Sequence, residues 1–549
     1  MSGGTGIVIS PAESKRNHGW YIQDDWRTTR KLTLNIGLRY DIQGAPTERY
    51  NRQAYFDPNA VNPISALVGG TYHGELVYNN GSNRGNFQVR YNNFAPRFGF
   101  AYELTKNLVA RGGYAIFYPW DFFGNTASPG FSQGTSYVAS LNGGLNPAST
   151  LSNPFSSGIL AAPGSSAAGL TDVGQSVPAT IVHDRKSPYT QQWSFGLQYS
   201  PTRKDVIEAS YVGNHALNVM VGNNLNINEL RPQYLGMGTA ALTVPVANPF
   251  YGQPAMAGSS CGLDQSTVPA FQLMLPMPQY CDSVQSYIPT QGFSYYNALD
   301  VKYTHRADNL TVMASYTHSK WLDDAESNAN WEEIFMTSVT RNSYDLRAEK
   351  SVDLWDIPNA AVISFMYNLP VGRGQKFGAN LNRFVNGVVG GWQLSTINTF
   401  KQGSPIAIQS DVNGASLFGG NQHANIVGDP NRPGPVAANP GCTAPSRIRT
   451  VQAWFNPCAF VAAPAGSFGN APRYLSNLRA PGYAFTDLAI EKWFNMTERF
   501  RSQFRVEMYN AFNHPILGEP YPTLGGSNFG TIGWADISRQ IQVALKIYW

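Results

Sequence analysis

The stretch LTLNIGLRYD alternates without interruption. Leu32, Leu34, Ile36, Leu38 and Tyr40 fall on one side, and Thr33, Asn35, Gly37, Arg39 and Asp41 on the other. A period of two is that of a β-strand with two unlike faces. WSFGLQYS sets Trp193, Phe195, Leu197 and Tyr199 against Ser194, Gly196 and Gln198, and ALDVKYTH sets Leu299, Val301 and Tyr303 against Asp300, Lys302 and Thr304. RFRSQFRVEMYN sets Phe500, Phe504, Val506 and Met508 against Arg501, Gln503, Arg505 and Glu507. About thirteen such segments follow one another, most near ten residues long, and a tilted strand needs about 9–11 residues to cross a bilayer.

The connections carry a second pattern. Short polar turns at Thr28–Lys31, Leu104–Asn107, Ser200–Asp205, Arg306–Asn309 and Phe494–Arg499 alternate with long excursions rich in Gly, Pro, Asn and Ser, near 46–85, 121–186, 216–289, 323–352 and 404–480. In an up-and-down meander, alternate connections emerge at the same end, so all long loops gather at one end and all tight turns at the other. Outer-membrane barrels have this polarity. The expected fold is therefore all-β, an antiparallel transmembrane β-barrel with long extracellular loops and short periplasmic turns. Its apolar rows meet outer-membrane lipid and its charged rows line the lumen. The final strand, QIQVALKIYW, carries Ile541, Val543, Leu545, Ile547 and Trp549 in one row. Ending on such a strand fits a terminus read by barrel-assembly machinery, with Trp549 as the terminal aromatic. A soluble all-β protein shares the alternation; it predicts folding in water without detergent.

Composition sharpens the contrast. Charged residues make up 13% of the 549 residues, about half the usual share of roughly 25%. Aromatics also reach 13%, with 53 Gly and 36 Pro. A net charge of +4 without a block of like charges gives no argument for nucleic acid. No apolar run reaches the roughly 18 residues of a transmembrane helix, and MSGGTGIVIS has no basic region followed by an apolar core, as a signal peptide would.

The four cysteines form two local pairs inside long excursions, without CxxC or zinc-ligand spacing. Disulfides Cys261–Cys281 and Cys442–Cys458 are the favoured pairing and imply an oxidising compartment; four unpaired thiols are the bland alternative. Arg39, Asp41, Arg97, Glu103, Arg111, Asp300, Lys302, Arg501, Arg505 and Glu507 are expected to point into the lumen. There they keep it wet and the strands in register, touch a passing solute, or hold a plug. Ligand contacts, if any, belong in loops, where Trp331, Trp454 and Phe455 are candidates to stack on sugars or peptides, although packing the loops together is the favoured reading of all three. Trp20, Trp26, Tyr118, Trp193, Tyr316, Trp392 and Trp493 read as a girdle at the membrane edges. No metal, cofactor or catalytic motif emerges: HExxH, GxSxG, P-loop and Rossmann patterns are absent. The expectation is a protein without enzyme activity.

Several stretches resemble a known family: YIQDDWRTTRKLTLNIGLRYD (Tyr21–Asp41), FAPRFGFAYELTKNLVARGGYAIFY (Phe94–Tyr118), YSPTRKDVIEASYVGNHA (Tyr199–Ala216), RFRSQFRVEMYNAFNHP (Arg499–Pro515) and SRQIQVALKIYW (Ser538–Trp549). In order and spacing, from about His18 to the end, they resemble the barrel of Oar-like TonB-dependent transporters. The resemblance implies a barrel of roughly twenty-two strands around a plug, with a signal peptide, a carboxypeptidase-regulatory-like domain, a plug and a TonB-contacting segment ahead of it. None of these is recognisable here, and about thirteen strands is an odd count where single-chain bacterial barrels have even ones. The expectation is the C-terminal part of a longer transporter: a lead-in at 1–17, then a barrel domain at 18–549 in the cell outer membrane. It would serve uptake or export of a bulky, unknown solute, with plug and TonB as partners only if an upstream segment exists. The alternative is a structural or adhesive surface barrel whose disulfide-pinned loops bind a partner without transport.

Overall fold

The computed structural model describes residues 3–119, 128–137, 140, 142, 144–156, 158–180, 185–221, 224–287, 290–324, 340–412, 422–495, 497 and 499–549. Thirteen long strands form its wall: β1 (Asn17–Trp26), β2 (Leu32–Gln43), β3 (Asn93–Thr105), β4 (Leu108–Phe117), β5 (Tyr189–Tyr199), β6 (Asp205–Met220), β7 (Thr290–Arg306), β8 (Leu310–Asp323), β9 (Asn359–Asn368), β10 (Trp392–Lys401), β11 (Tyr483–Asn495), β12 (Arg501–Tyr509) and β13 (Gln540–Tyr548). Each pairs antiparallel with its neighbour in the chain, and the short strand Ser351–Val352 adds to β8. Among the described residues no pairing joins β1 to β13.

Register fixes the faces. Ile36 lies opposite Phe98, Phe98 opposite Tyr114 and Tyr114 opposite Trp193, so one apolar row crosses four strands. These rows find no protein core. Among the buried apolar residues only Ala95, Ala110 and Ala298 belong to the wall strands, while Leu38, Phe195, Leu299, Ile363 and Leu545 remain exposed. A soluble sandwich would bury this face against a second layer. Aromatics mark its two rims. At the loop end Trp20, Tyr40 and Phe94 stack in sequence, with centroids 5.9 and 4.6 Å apart. At the turn end stand Trp26, Tyr102, Tyr199 and Trp392. Gly213 is the small partner that makes room for Trp193: a Cβ there would meet the indole of the tryptophan lying across it.

The large buried side chains sit in the loops. Phe56, Ile64 and Leu76 from the β2–β3 loop pack with Val173 and Val177 from the β4–β5 loop and with Phe250, Met256, Leu263 and Tyr280 from the β6–β7 loop. A second core joins Ile406, Phe455, Phe460, Leu475 and Leu478 of the β10–β11 loop, with Leu524 and Phe529 of the β12–β13 loop packed on it. A third, around Leu230, Leu235, Leu242 and Leu275, is touched by Phe468. The long loops are thus a folded cap at one end of the wall. The residues ahead of β1 join it: Gly3–Ile7 pairs with Gln133–Tyr137, and Glu13–Ser14 with Thr47–Glu48.

One further connection continues the expected alternation and another departs from it. Residues 510–539, between β12 and β13, form a further long loop on the cap side. Residues 369–391, between β9 and β10, lie on the turn side yet contain a helix, α1 (Arg383–Val389). No helix among the described residues is long and apolar enough to cross a membrane.

Candidate functional site: the polar wall and its loop cap

The ten charged residues expected in the lumen share one face. Gly37 of β2, on the same side as Arg39 and Asp41, lies opposite Arg97; Ala101, on the side of Arg97 and Glu103, lies opposite Arg111. Through Gly196 and Ser210 the same row reaches Asp300, with Lys302 opposite Glu208. Across β12, Arg505 faces Glu491, and Arg501 and Glu507 follow the same parity.

Their partners differ. Arg39 Nε donates to Asp41 at 2.8 Å. Asp300 accepts the Thr317 hydroxyl at 2.6 Å. Arg505 bridges Glu491 at 3.2 Å and Glu507 at 2.6 Å, and Gln503 donates to Glu491 at 2.7 Å. Arg97 lies 5.0 Å from the Phe117 ring and Arg501 5.9 Å from the Trp493 ring. Among the described residues no carboxylate pairs with Arg97, Arg111 or Arg501. Beside Arg97 lies a recess of about 440 Å³, lined by Asn35, Gly113, Ser194, Phe117 and Tyr296 and also by Tyr114 and Trp193 of the apolar row. An arginine over such a hollow offers its guanidinium fork to a carboxylate or phosphate.

Two loop aromatics pack within the cap, and one girdle aromatic changes sides. Phe455 is fully buried in the second loop core, where it meets Phe460 and Phe529 edge-on, so it offers nothing to a ligand. Trp454 is half-buried; its Nε1 donates to the Arg479 carbonyl at 2.6 Å and its ring carries the Arg449 guanidinium at 5.0 Å. Trp493 is not on the lipid side. Its register partner is Gln503, and it stacks on Tyr548 at 5.6 Å on the polar face. Trp331 lies outside the described residues. Trp549 follows β13 and is highly exposed.

A buried ionic network links cap to wall, and sequence reasoning missed it. Arg341 bonds Glu349 at 3.1 Å and the Gly469 carbonyl at 2.7 Å. His423 is held by the Ala471 carbonyl at 2.8 Å, and burial, reinforced by Arg341 and Arg473, pushes its pKa below the usual range despite Glu349. Arg473 pairs with Asp323 at the top of β8, and Arg479 with Asp356 at 2.5 Å. Asp356 also accepts the Trp321 amide at 2.6 Å. The signal available in sequence was the segment RNSYDLRAEKSVDLWD, dense in charge within a sparsely charged chain.

Two carboxylates inside the cap diverge. Glu229 is buried, which raises its pKa to about 7 although Ser343 Oγ donates to it at 2.7 Å. Glu48 is buried too, which alone would raise it. Hydrogen bonds from the Arg52 side chain and from the backbone amides of Arg52, Ala12 and Tyr50 outweigh burial and bring it down to about 2. Both cysteine pairs are bonded, Cys261 to Cys281 within the first loop core and Cys442 to Cys458 at the second.

A family model described as "Outer membrane beta barrel domain" matches residues 4–542. The chain belongs to this family. The barrel is therefore an outer-membrane protein, its exposed apolar rows facing lipid and its cap facing the exterior. Among solved structures it is similar to the copper transporter OprC (10% identity, TM-score 0.40, covering 98% of this chain and 48% of that one). It is also similar to the FrpB iron transporter from Neisseria meningitidis (10%, 0.39, 98% and 46%) and to FpvA of P. aeruginosa in complex with a heterologous pyoverdine (10%, 0.39, 98% and 39%). The barrel spans less than half the length of each of these chains. No curated protein matches it.

Proposed function

We propose that the barrel forms most of the wall of an Oar-like TonB-dependent transporter, passing a bulky solute across the outer membrane without chemistry. The single observation behind this reading is the segregation of the sheet. Ten charged side chains share one face, three of its arginines have no carboxylate partner among the described residues, and a folded cap stands at one end. In this reading the unpaired arginines receive carboxylates of a plug or of the solute. Barrel-assembly machinery reads the strand ending in Trp549. Energy coupling runs through a plug and TonB.

The test is solute depletion by a strain carrying the complete gene and by its deletion mutant. Transport predicts a medium component larger than a porin would pass, consumed by the parent and left behind by the mutant and by the parent under a protonophore. Identical depletion profiles, with loss of surface attachment in the mutant, would establish the adhesive alternative instead.

A further inference from the structure

Residues 369–391 belong neither to the wall nor to the cap. They carry Arg373, Lys376 and Arg383 and no acidic residue. Within them Asn382 caps the start of α1, its Oδ1 accepting the Val385 amide at 2.8 Å. At about 100° per residue, Phe384, Val385, Val388 and Val389 cover an arc of about 140°, with Arg383, Asn386 and Gly387 opposite. The apolar arc is the outward one: Phe384 is 84% and Val388 60% exposed.

The polar side is pinned. Asn386 Oδ1 accepts the Arg373 amide at 2.6 Å, and Trp392 Nε1 donates to the Val388 carbonyl at 2.9 Å. Lys492 Nζ donates to the carbonyls of Val388, at 3.2 Å, and Gly390. Trp392 and Lys492 are register partners on the same face as Phe504, so α1 leans on the lipid side of the wall at the turn end. Between them lies a cavity of about 720 Å³, lined by Arg373, Gln375 and Arg383 on one side and Phe494, Leu545 and Ile547 on the other. A short amphipathic helix with its apolar face outward and cations beside it is built for a membrane interface.

We propose that residues 369–391 form a site for an anionic phospholipid of the periplasmic leaflet. Phe384 and Val388 insert among acyl chains, and Arg373 and Arg383 hold the headgroup phosphate over the apolar floor of β11 and β13. The occupant follows from charge: three cations without an acid, beside a cavity that is polar on one side and hydrocarbon on the other.

The chain, with its four cysteines in disulfides, is reconstituted in phosphatidylcholine vesicles with and without phosphatidylglycerol, carrying a nitroxide at Phe384→Cys. The label should collide with dissolved oxygen in preference to an aqueous nickel chelate. Native mass spectrometry should show phosphatidylglycerol retained over phosphatidylcholine. Arg373→Gln with Arg383→Gln should reduce that retention about twenty-fold, given roughly fivefold per cation near an anionic surface. Arg373→Lys with Arg383→Lys should keep most of it. Nickel accessibility at 384 equal to that of a label at exposed Leu151 overturns the proposal. So does equal retention of the two lipids, or displacement of phosphatidylglycerol by millimolar inorganic phosphate.

Discussion

Arg501 and Arg505 stand four residues apart on β12 and face the same side, yet their surroundings differ. Arg505 is held by Glu491 and Glu507, whereas Arg501 meets only the Trp493 ring among the described residues. Arg505→Glu should therefore damage the wall itself. Urea unfolding of the reconstituted barrel should show a loss on the order of 2–3 kcal/mol, because the largely buried Glu491 keeps only the neutral Gln503 amide and meets a second carboxylate where its cation stood. Arg501→Glu should leave unfolding unchanged and, in a barrel that holds a plug, raise passive leak of a polar dye if a plug carboxylate docks there; unchanged leak counts against plug docking. Glu229 supplies a pH prediction. Its folded pKa of about 7 lies above its ordinary 4.5, so as pH rises through 4.5 the unfolded cap gains by ionising while the folded cap does not. The contribution of Glu229 to cap stability falls between pH 4.5 and 7 and is constant above, a loss on the order of 3 kcal/mol. Glu229→Gln should recover most of it at pH 8 and nothing at pH 4. His423, whose lowered pKa acts in the opposite sense below pH 6.5, cancels in the comparison of the two proteins. Protection of cap amides from hydrogen exchange reads both.

At the scale of elements, each disulfide closes a short segment of an otherwise irregular loop, with sequence separations of 20 and 16. Loops of this size give about 3 kcal/mol in the chain-entropy picture. Paired Cys→Ser replacement of Cys261 and Cys281 should make the β6–β7 loop protease-sensitive while the wall strands stay protected, a pattern read by limited proteolysis. For the strands, nitroxides at Leu38, Phe195 and Leu299 should be oxygen-accessible and shielded from water-soluble quenchers, and one at Arg111 the reverse. The strands were legible because a period of two needs only neighbours in sequence. Trp493 was not: its side depends on pairing with Gln503 and Tyr548, and an aromatic near a strand end looks the same on either face. Phe455 packs the loops, as its favoured reading had it, but which residues cover it was not legible, since a loop aromatic becomes core only when other loops arrive.

Over the whole molecule, the sheet runs from β1 to β13 with no pairing between its first and last strands among the described residues. Hydrocarbon supplies no hydrogen bonds to an unpaired strand edge. Purified alone in detergent, the chain should therefore associate through these edges. Light scattering should show dimers or larger species, and Val543→Pro, which disturbs pairing at β13, should shift them toward monomer; a clean monomer before mutation would contradict the open edge. The sequence by itself determined the strands, their two faces, the polarity of turns and loops, and the cysteine pairing, because each depends on residues close together in the chain. Only the tertiary structure decided that the loops fuse into a cored cap and that Arg341, Glu349, His423, Arg473 and Asp323 meet beneath it. It also decided that the β9–β10 connection rests on the lipid face. Those arrangements join residues such as Asn62 and Tyr280, 218 positions apart, and no local period records which distant segment will cover a given side chain.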